Sequence, residues 1–375
     1  MRKKILFITG TRADFGKLKP LINVIKSSSD FEYKIFGTGM HMLSKYGNTI
    51  HEISKSGFAD NLFEYMNQVE GESMEVILAN TITGVSRYLH ENPVDLIVVH
   101  GDRVEALAGA TVGALRNILV AHIEGGELSG TVDELMRHAI TKLSHLHFVS
   151  NAEAERRLKQ LGEDPNSIFT IGSPDIDVML SDNLPGIDIA KNHYGIDFED
   201  YAFAILHPVT TETTELQRKH AEIFVKALME SSENYVLIYP NNDTGSKFIF
   251  DAYKKLNNEK KFKIFPSLRF EYFLTLLKHA KYLIGNSSAG IHEAPIYGIP
   301  TINIGTRQEN RYTSKSITTT DFDVNDILCA IHEVKSKKFD SNRYYGDGKS
   351  AERFLTALKT DVWAVSNQKQ FQDIH

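Results

Sequence analysis

Lys4-Ile-Leu-Phe-Ile8 is an apolar run that ends in Thr9-Gly-Thr-Arg-Ala-Asp-Phe-Gly16, after which Leu18, Leu21, Ile22 and Ile25 return at helical spacing. A short apolar run closed by turn residues and followed by a 3.6-residue period reads as buried strand, loop and helix. The loop has the place of a first βα turn in a doubly wound sheet, where ligands sit beyond the carboxyl ends of the strands. It matches neither the dinucleotide fingerprint G-x-G-x-x-G nor the P-loop, so no nicotinamide or other cofactor is expected.

The same grammar repeats outward from that stretch. Tyr33-Lys-Ile-Phe36 runs into Gly37-Thr-Gly-Met-His41, and a long helical pattern occupies Glu72 to Asn92. Asp95-Leu-Ile-Val-Val99 ends in His100-Gly-Asp-Arg103, and Ile118-Leu-Val-Ala121 ends in His122-Ile-Glu-Gly-Gly-Glu127. Leu146-His-Phe-Val149 and Ile168-Phe-Thr-Ile171 follow. Alternating β and α elements predict a first parallel-sheet domain over residues 1–175. Gly172-Ser-Pro-Asp175 through Leu184-Pro-Gly186 is turn-rich and reads as a linker.

A second series occupies residues 186–350. Tyr201-Ala-Phe-Ala-Ile-Leu206 ends in His207-Pro-Val-Thr-Thr211, Tyr235-Val-Leu-Ile238 in Tyr239-Pro-Asn-Asn-Asp-Thr-Gly245, and Phe262-Lys-Ile-Phe265 in Pro266-Ser-Leu-Arg269. Tyr282-Leu-Ile284 ends in Gly285-Asn-Ser-Ser-Ala-Gly290, and Thr301-Ile-Asn-Ile304 in Gly305-Thr-Arg307. The fold class is therefore α/β, with two Rossmann-like parallel-sheet domains expected to face a cleft, as in the GT-B architecture. A helix over about 355–375, containing Trp363, is expected to pack back on the first domain.

With 375 residues, two domains of ordinary size are the default. The net charge of -6, without a long Lys/Arg block, argues against nucleic-acid and membrane-surface partners. The lone Cys329 permits neither a disulfide framework nor a thiolate cluster, which fits a cytoplasmic protein. Only about five apolar residues follow Met1-Arg-Lys-Lys, too few for a signal peptide or a membrane span.

The chemistry gathers in two places. In the first half, Ile118–Ala121 delivers Glu124 to a strand end, and Gly125, Gly126 and Gly130 open the backbone. Thr131, with Glu134 three residues on, fits a capping box. Asp133 and Arg137 then share one helical face. The bland alternative is a solvated turn with one ion pair. In the second half, Gly285–Gly290 offers hydroxyls and free N–H groups between strand and helix, which suits a diphosphate, while Ser287 and Ser288 as ordinary N-caps are the plain alternative. Arg307 can add a charge-assisted contact, and Glu293 stands where a carboxylate receives ribose hydroxyls. His145 and His147 alternate as on a strand but lack a third ligand, so no metal site is expected. Tyr344-Tyr345-Gly-Asp-Gly-Lys349 reads as a surface turn.

Taken together, Thr9–Lys17, His100–Arg103, His122–Glu127, His207–Thr211, Gly285–Ser288 and Gly305-Thr-Arg-Gln308 resemble the hydrolysing UDP-N-acetylglucosamine 2-epimerases of sialic acid biosynthesis. The resemblance spans nearly the whole chain in order. It implies conversion of UDP-N-acetylglucosamine and water to N-acetylmannosamine and UDP, with no cofactor and with a homodimer common among relatives. It also implies UDP contacts at Arg12, Ala13, Gly16, Arg103, His207, Asn241, the Leu268 backbone, Ser287, Ser288, Gly290, Glu293 and Arg307. Asp102, Glu124 and Asp133 match the catalytic carboxylates, with Arg137, His122 and Lys17 in the same pocket. The loop after Glu124 is shorter than in the similar non-hydrolysing epimerases. The alternatives are a hydrolysing epimerase for a 2,4-diacetamido-6-deoxy or GDP-linked sugar, and a GT-B glycosyltransferase.

Overall fold

The structure is a computed structural model that describes residues 2–129, 132–370 and 372–373. The chain divides into two compact units, one of Met1–Glu127, Asp133–Ser181 and Tyr344–His375, the other of Leu128–Val132 and Asp182–Arg343. In the first unit β1 (Lys3–Thr9), β2 (Phe31–Gly37), β3 (Leu62–Glu64), β4 (Leu96–His100), β5 (Leu119–Ile123), β6 (Leu146–Val149) and β7 (Ile168–Thr170) pair in the order 3-2-1-4-5-6-7. Every pairing is parallel. Strand order reverses between β1 and β4, which puts the loops after Thr9 and His100 at the position where such sheets bind ligands.

The apolar run at residues 5–8 is continuous because both faces of β1 are covered. Ile5 and Phe7 pack with Leu18, Leu21 and Ile22 of the helix Arg12–Lys26 and with Phe354 and Leu358 of the helix Ser350–Leu358. Leu6 and Ile8 pack on the opposite face with Val85 and Leu89 of the helix Met74–Glu91 and with Ala106 and Ala110. Asp177 holds the returning helix by accepting the N–H groups of Ser350 at 2.9 Å and Ala351 at 2.8 Å, the usual service of a carboxylate at a helix start.

In the second unit β8 (Ala202–Ile205), β9 (Tyr235–Ile238), β10 (Phe262–Phe265), β11 (Leu283–Gly285), β12 (Thr301–Ile304) and β13 (Ile317–Thr320) form a parallel sheet in the order 10-9-8-11-12-13. Ala204, Phe224, Leu228, Leu237, Ile284, Ile302 and Ile327 lie in its core. The order reverses between β8 and β11, so His207 and the Gly285 turn flank the corresponding position.

The expected strands are present, and two edge strands, β3 and β13, join them. Other expectations change. The supposed linker contains the helix Pro174–Met179, in which Asp175 and Ile176 are buried. Tyr345 is buried rather than in a surface turn, and its carbonyl accepts from the Ser173 N–H at 2.6 Å. The helix expected over 355–375 ends at Leu358 and is followed by one 3-10 turn, Asp361–Ala364. There the Trp363 indole donates to the Leu358 carbonyl at 2.8 Å, occupying a helix-end acceptor. Gly130 and the capping residue Thr131 lie outside the described residues. No described helix is long and apolar enough to cross a membrane.

Candidate active site

β4 and β5 pair with His100 opposite Ile123, so the residues just beyond them, Gly101-Asp102-Arg103 and Glu124, leave adjacent strand ends. Glu124 is 6% exposed and has φ 63°, a left-handed backbone that a non-glycine residue adopts at a cost. Its N–H donates to the Phe148 carbonyl at 2.8 Å, and this bond to β6 holds the turn in place. The stretch is thus not a solvated turn. His122, Glu124, Glu127, Ser129 and Arg137 are all buried.

The Glu124 carboxylate is surrounded by donors. His100 Nε2 lies 2.9 Å from Oε2 and Lys17 Nζ 3.4 Å from the same oxygen, while the Ser173 hydroxyl sits between Oε1 and Asp175. Lys17 is also 3.2 Å from Asp175 Oδ2. His100 donates through Nδ1 to Asp14 Oδ1 at 2.8 Å, and Asp14 Oδ2 accepts from the Gly10 N–H at 3.1 Å. Burial by itself would lower the His100 pKa, but the Glu124 charge and the hydrogen bonds to Asp14 and Glu124 hold it up at about 9. The ring is therefore an imidazolium at neutral pH.

Asp102 makes a different pair. Its carboxylate meets Arg137, whose Nη1 also donates to the Glu127 carbonyl at 3.1 Å. Burial opposes the Arg137 charge, yet Asp102, Glu127, Asp133 and Glu124 together raise its pKa. One guanidinium thus lies in the field of four carboxylates, including all three catalytic candidates, and pairs with Asp102. Glu127 is fixed in turn by the Ser150 hydroxyl at 2.5 Å.

His122 does not join this network as a proton-transferring group. It is fully buried, its Nε2 donates to the Gly101 carbonyl at 2.8 Å, and its Nδ1 accepts from the Thr141 hydroxyl at 3.1 Å. Burial lowers its pKa to about 3, so the neutral ring serves to hold the backbone that carries Asp102. His41 is similar, locked between Thr49 at 2.7 Å and Thr9 at 3.2 Å and lowered by burial to about 4. The strand pair His145 and His147 is also engaged elsewhere: His145 Nδ1 accepts from the Val120 N–H at 3.0 Å, and His147 Nε2 meets Glu163 at 3.0 Å.

At the β1 turn, Arg12, Ala13, Gly16 and Lys17 lie on the first two turns of the helix Arg12–Lys26. Arg12 Nη2 is 3.9 Å from Glu52, and Arg103 Nε is 3.5 Å from the buried Glu105.

The second unit forms its own polar cluster. Asn286 clamps the turn after β8 from both sides: its Oδ1 accepts the His207 N–H at 2.7 Å, and its Nδ2 donates to the His207 carbonyl at 2.9 Å. His207 Nδ1 accepts from the Asn241 N–H at 3.0 Å. Arg307 Nη1 at 3.3 Å and Gln308 Nε2 at 2.8 Å both donate to the Asn286 carbonyl. His207, Asn241, Asn286 and Arg307 are thus one assembly. Ser287 accepts from the Ala289 N–H at 3.3 Å and caps the 3-10 turn Ser288–Gly290, and Glu293 starts the short helix Glu293–Ile296. The cradle is built of single turns, so loop N–H groups, not a long helix dipole, are what it offers an anion. Leu268 is buried beside Arg269, whose N–H donates to the Tyr194 hydroxyl at 2.8 Å.

Asp14, His100, Ser173, Asp175, Asn286 and Gln308 are absent from the set chosen by sequence. Asp14 and Lys17 are three apart on one helix, a spacing that put both on the Glu124 side. His100 lies in the His100-Gly-Asp-Arg103 motif, two residues before the Asp102 that the resemblance singles out.

Comparison with known proteins identifies the family. The profile of the UDP-N-acetylglucosamine 2-epimerase family matches residues 23–359. The chain is 50% identical over 378 residues to the UDP-N-acetylglucosamine 2-epimerase of Neisseria meningitidis serogroup B, covering 100% of both chains. It is 32% identical to the UDP-N,N'-diacetylbacillosamine 2-epimerase (hydrolyzing) of Legionella pneumophila, covering 96% of each. The Methanocaldococcus jannaschii UDP-GlcNAc 2-epimerase, solved with UDP-GlcNAc and UDP, superposes with a TM-score of 0.81 at 23% identity, covering 95% of this chain and 99% of that one, a likeness of fold. Matched over most of its length by the family profile and over all of it by a half-identical relative, the chain belongs to the UDP-N-acetylglucosamine 2-epimerase family.

Proposed function

We propose that the chain is a hydrolysing epimerase that converts UDP-N-acetylglucosamine and water into N-acetylmannosamine and UDP, the first step towards sialic acid. The observation that carries this reading is the delivery of Asp102 and Glu124 by paired strand ends into a shared group of carboxylates and cations. The C2 proton of the sugar has no adjoining carbonyl, so simple proton abstraction is ruled out by acidity. Elimination avoids the difficulty. The C1–O bond breaks with its electron pair leaving on UDP, a carboxylate takes the C2 proton, and the C2–H pair becomes the C1=C2 bond of 2-acetamidoglucal. Water then adds at C1 while a proton reaches C2 from the opposite face, giving the manno sugar. Two faces of one carbon need two acid/base groups, and Asp102 and Glu124 serve them, with Asp133 orienting groups or handling water. Arg12, Arg103, His207 and Arg307 stabilise the departing diphosphate, and Asn241, Leu268, Ser287, Ser288, Gly290 and Glu293 hold the nucleotide.

The Legionella pneumophila relative supports the hydrolysing branch by its name, as does the short Gly125-Gly-Glu-Leu-Ser-Gly130 loop. Proton NMR of the purified chain with UDP-N-acetylglucosamine in deuterated water tests the reading. Free UDP and N-acetylmannosamine deuterated at C2 are expected. Intact UDP-N-acetylmannosamine would place the enzyme in the non-hydrolysing branch. The same relative favours a second reading, in which the sugar carries a second acetamido group and lacks the 6-hydroxyl. UDP-N,N'-diacetylbacillosamine turned over faster than UDP-N-acetylglucosamine would establish it. The lone cysteine fits a reducing cytosol, and the family resemblance implies a homodimer, which light scattering of the purified protein checks.

A further inference from the structure

The carboxylates at the strand ends differ in the cations that hold them. Asp102 is tied to Arg137, a group that keeps its charge at any working pH. Glu124 is tied to His100 and Lys17, groups that can lose theirs. His100 also bridges two carboxylates on different elements: Asp14 on the helix after β1 and Glu124 on the turn after β5. No other described imidazole has a carboxylate on each ring nitrogen.

We propose that His100 is the positioning residue for Glu124, an imidazolium that orients this carboxylate and favours its ionised form while Asp14 fixes the ring. This rests on the epimerase reading above. The geometry gives the ring little alternative. With Nδ1 2.8 Å from Asp14 and Nε2 2.9 Å from Glu124, both nitrogens must carry protons if both contacts are hydrogen bonds, because a carboxylate only accepts. A neutral ring would leave one acid oxygen facing a lone pair in a buried site. Loss of the proton therefore breaks one of the two contacts and severs the link that runs from Asp14 through the ring to Glu124, which Lys17 and Ser173 alone cannot replace.

The groups facing this arrangement come from each packed element. Asp14 and Lys17 lie on the helix after β1, His122 on β5, and Glu124 on the turn beyond it. Asp175 stands behind Lys17 and Ser173 on the helix Pro174–Met179. His122 stays neutral in the working range, lowered to about 3 mainly by burial. His100, whose folded pKa is raised to about 9, is thus the group that sets an alkaline limit on Glu124.

The test is the pH dependence of UDP release from UDP-N-acetylglucosamine by the full-length protein, together with NMR titration of the His100 ring. In the wild type kcat is expected to fall as pH rises through about 9, with KM little changed. Asp14→Asn removes one stabilising charge and should move that limb and the ring titration down by roughly one pH unit. His100→Gln keeps a donor but no charge. It should lower the plateau of kcat about 100-fold and abolish the limb near pH 9. A limb unmoved in Asp14→Asn, or kept near pH 9 in His100→Gln, would overturn the proposal. The ring titration needs no turnover, so it separates the two readings. A wild type that releases no UDP defeats the epimerase reading, whereas a His100 that titrates near the ordinary 6.5 defeats the positioning role by itself. Should His100→Gln fail to fold, Asp14→Asn and the titration still decide.

Discussion

Glu124 illustrates how one residue carries both a structural cost and a chemical use. The other described non-glycine residues with positive φ, Asn48, Asn117 and Asn310, are asparagines, which tolerate that region. A glutamate there gives up about 1 kcal/mol, and the Phe148 hydrogen bond together with the surrounding donors holds it in place. Replacing the charge without changing the shape isolates its chemical part. Asp102→Asn, Glu124→Gln and Asp133→Asn should each reduce turnover by at least about 100-fold while UDP binding by calorimetry stays within about threefold. Normal rates in all three would refute the assignment. At this scale the sequence was informative where a strand end delivers a carboxylate, as at Glu124. It was uninformative where the partner arrives from far along the chain. Ser173 and Asp175 lie in a Gly-Ser-Pro-Asp stretch that reads equally well as a linker and as a helix start, and only tertiary packing tells these apart.

At the scale of elements, the turns after β8 and β11 depend on backbone that comes unusually close. Gly285 has φ 133°, and a Cβ there would stand 2.0 Å from the Ile205 carbonyl oxygen. Gly285→Ala must push β11 away from β8 and disturb Asn286, whose side chain clamps His207. We expect a loss of about 2–4 kcal/mol, seen as a lower thermal midpoint, together with weaker UDP binding. An unchanged midpoint would mean that the turn yields more easily than its geometry indicates. Arg307→Ala is milder. It leaves the fold intact and raises KM for the nucleotide sugar about tenfold through the loss of one charge-assisted contact. The long apolar strands were legible because both faces are buried. The edge strands β3 and β13 were not, since Leu62–Glu64 is three residues long and Ile317-Thr-Thr-Thr320 is mostly polar and partly exposed, with no apolar run to mark it.

On the largest scale, the first unit is completed by a segment far from its start. Ala351, Phe354, Ala357, Leu358 and Val362 share a core with Ile5 and Phe7, and beyond them Lys369 reaches the buried Glu163 while donating to the Ser144 carbonyl at 2.6 Å. Lys142 completes the pair at 2.9 Å. Burial opposes the Glu163 charge, but His147 and Lys369 outweigh it and hold its pKa at about 2. Because the folded value is depressed, the stabilisation is present above the ordinary carboxylate range and is lost as pH falls from about 4.5 towards 2. Lys369→Met should therefore lower the thermal midpoint by roughly 5 °C at neutral pH, and the difference from wild type should shrink as pH falls towards 2, leaving only the part that the Ser144 contact supplies. A constant difference across that range would remove the charge argument. The same return of the chain has a consequence for synthesis. The second unit is almost contiguous and can fold as it leaves the ribosome, whereas the first unit waits. When translation has reached Arg343, one face of its sheet, with Ile5 and Phe7, still lacks the helix Ser350–Leu358. Nascent chains at that point should present an apolar surface to chaperones, and a stop codon just after Arg343 would strand the half that was made first.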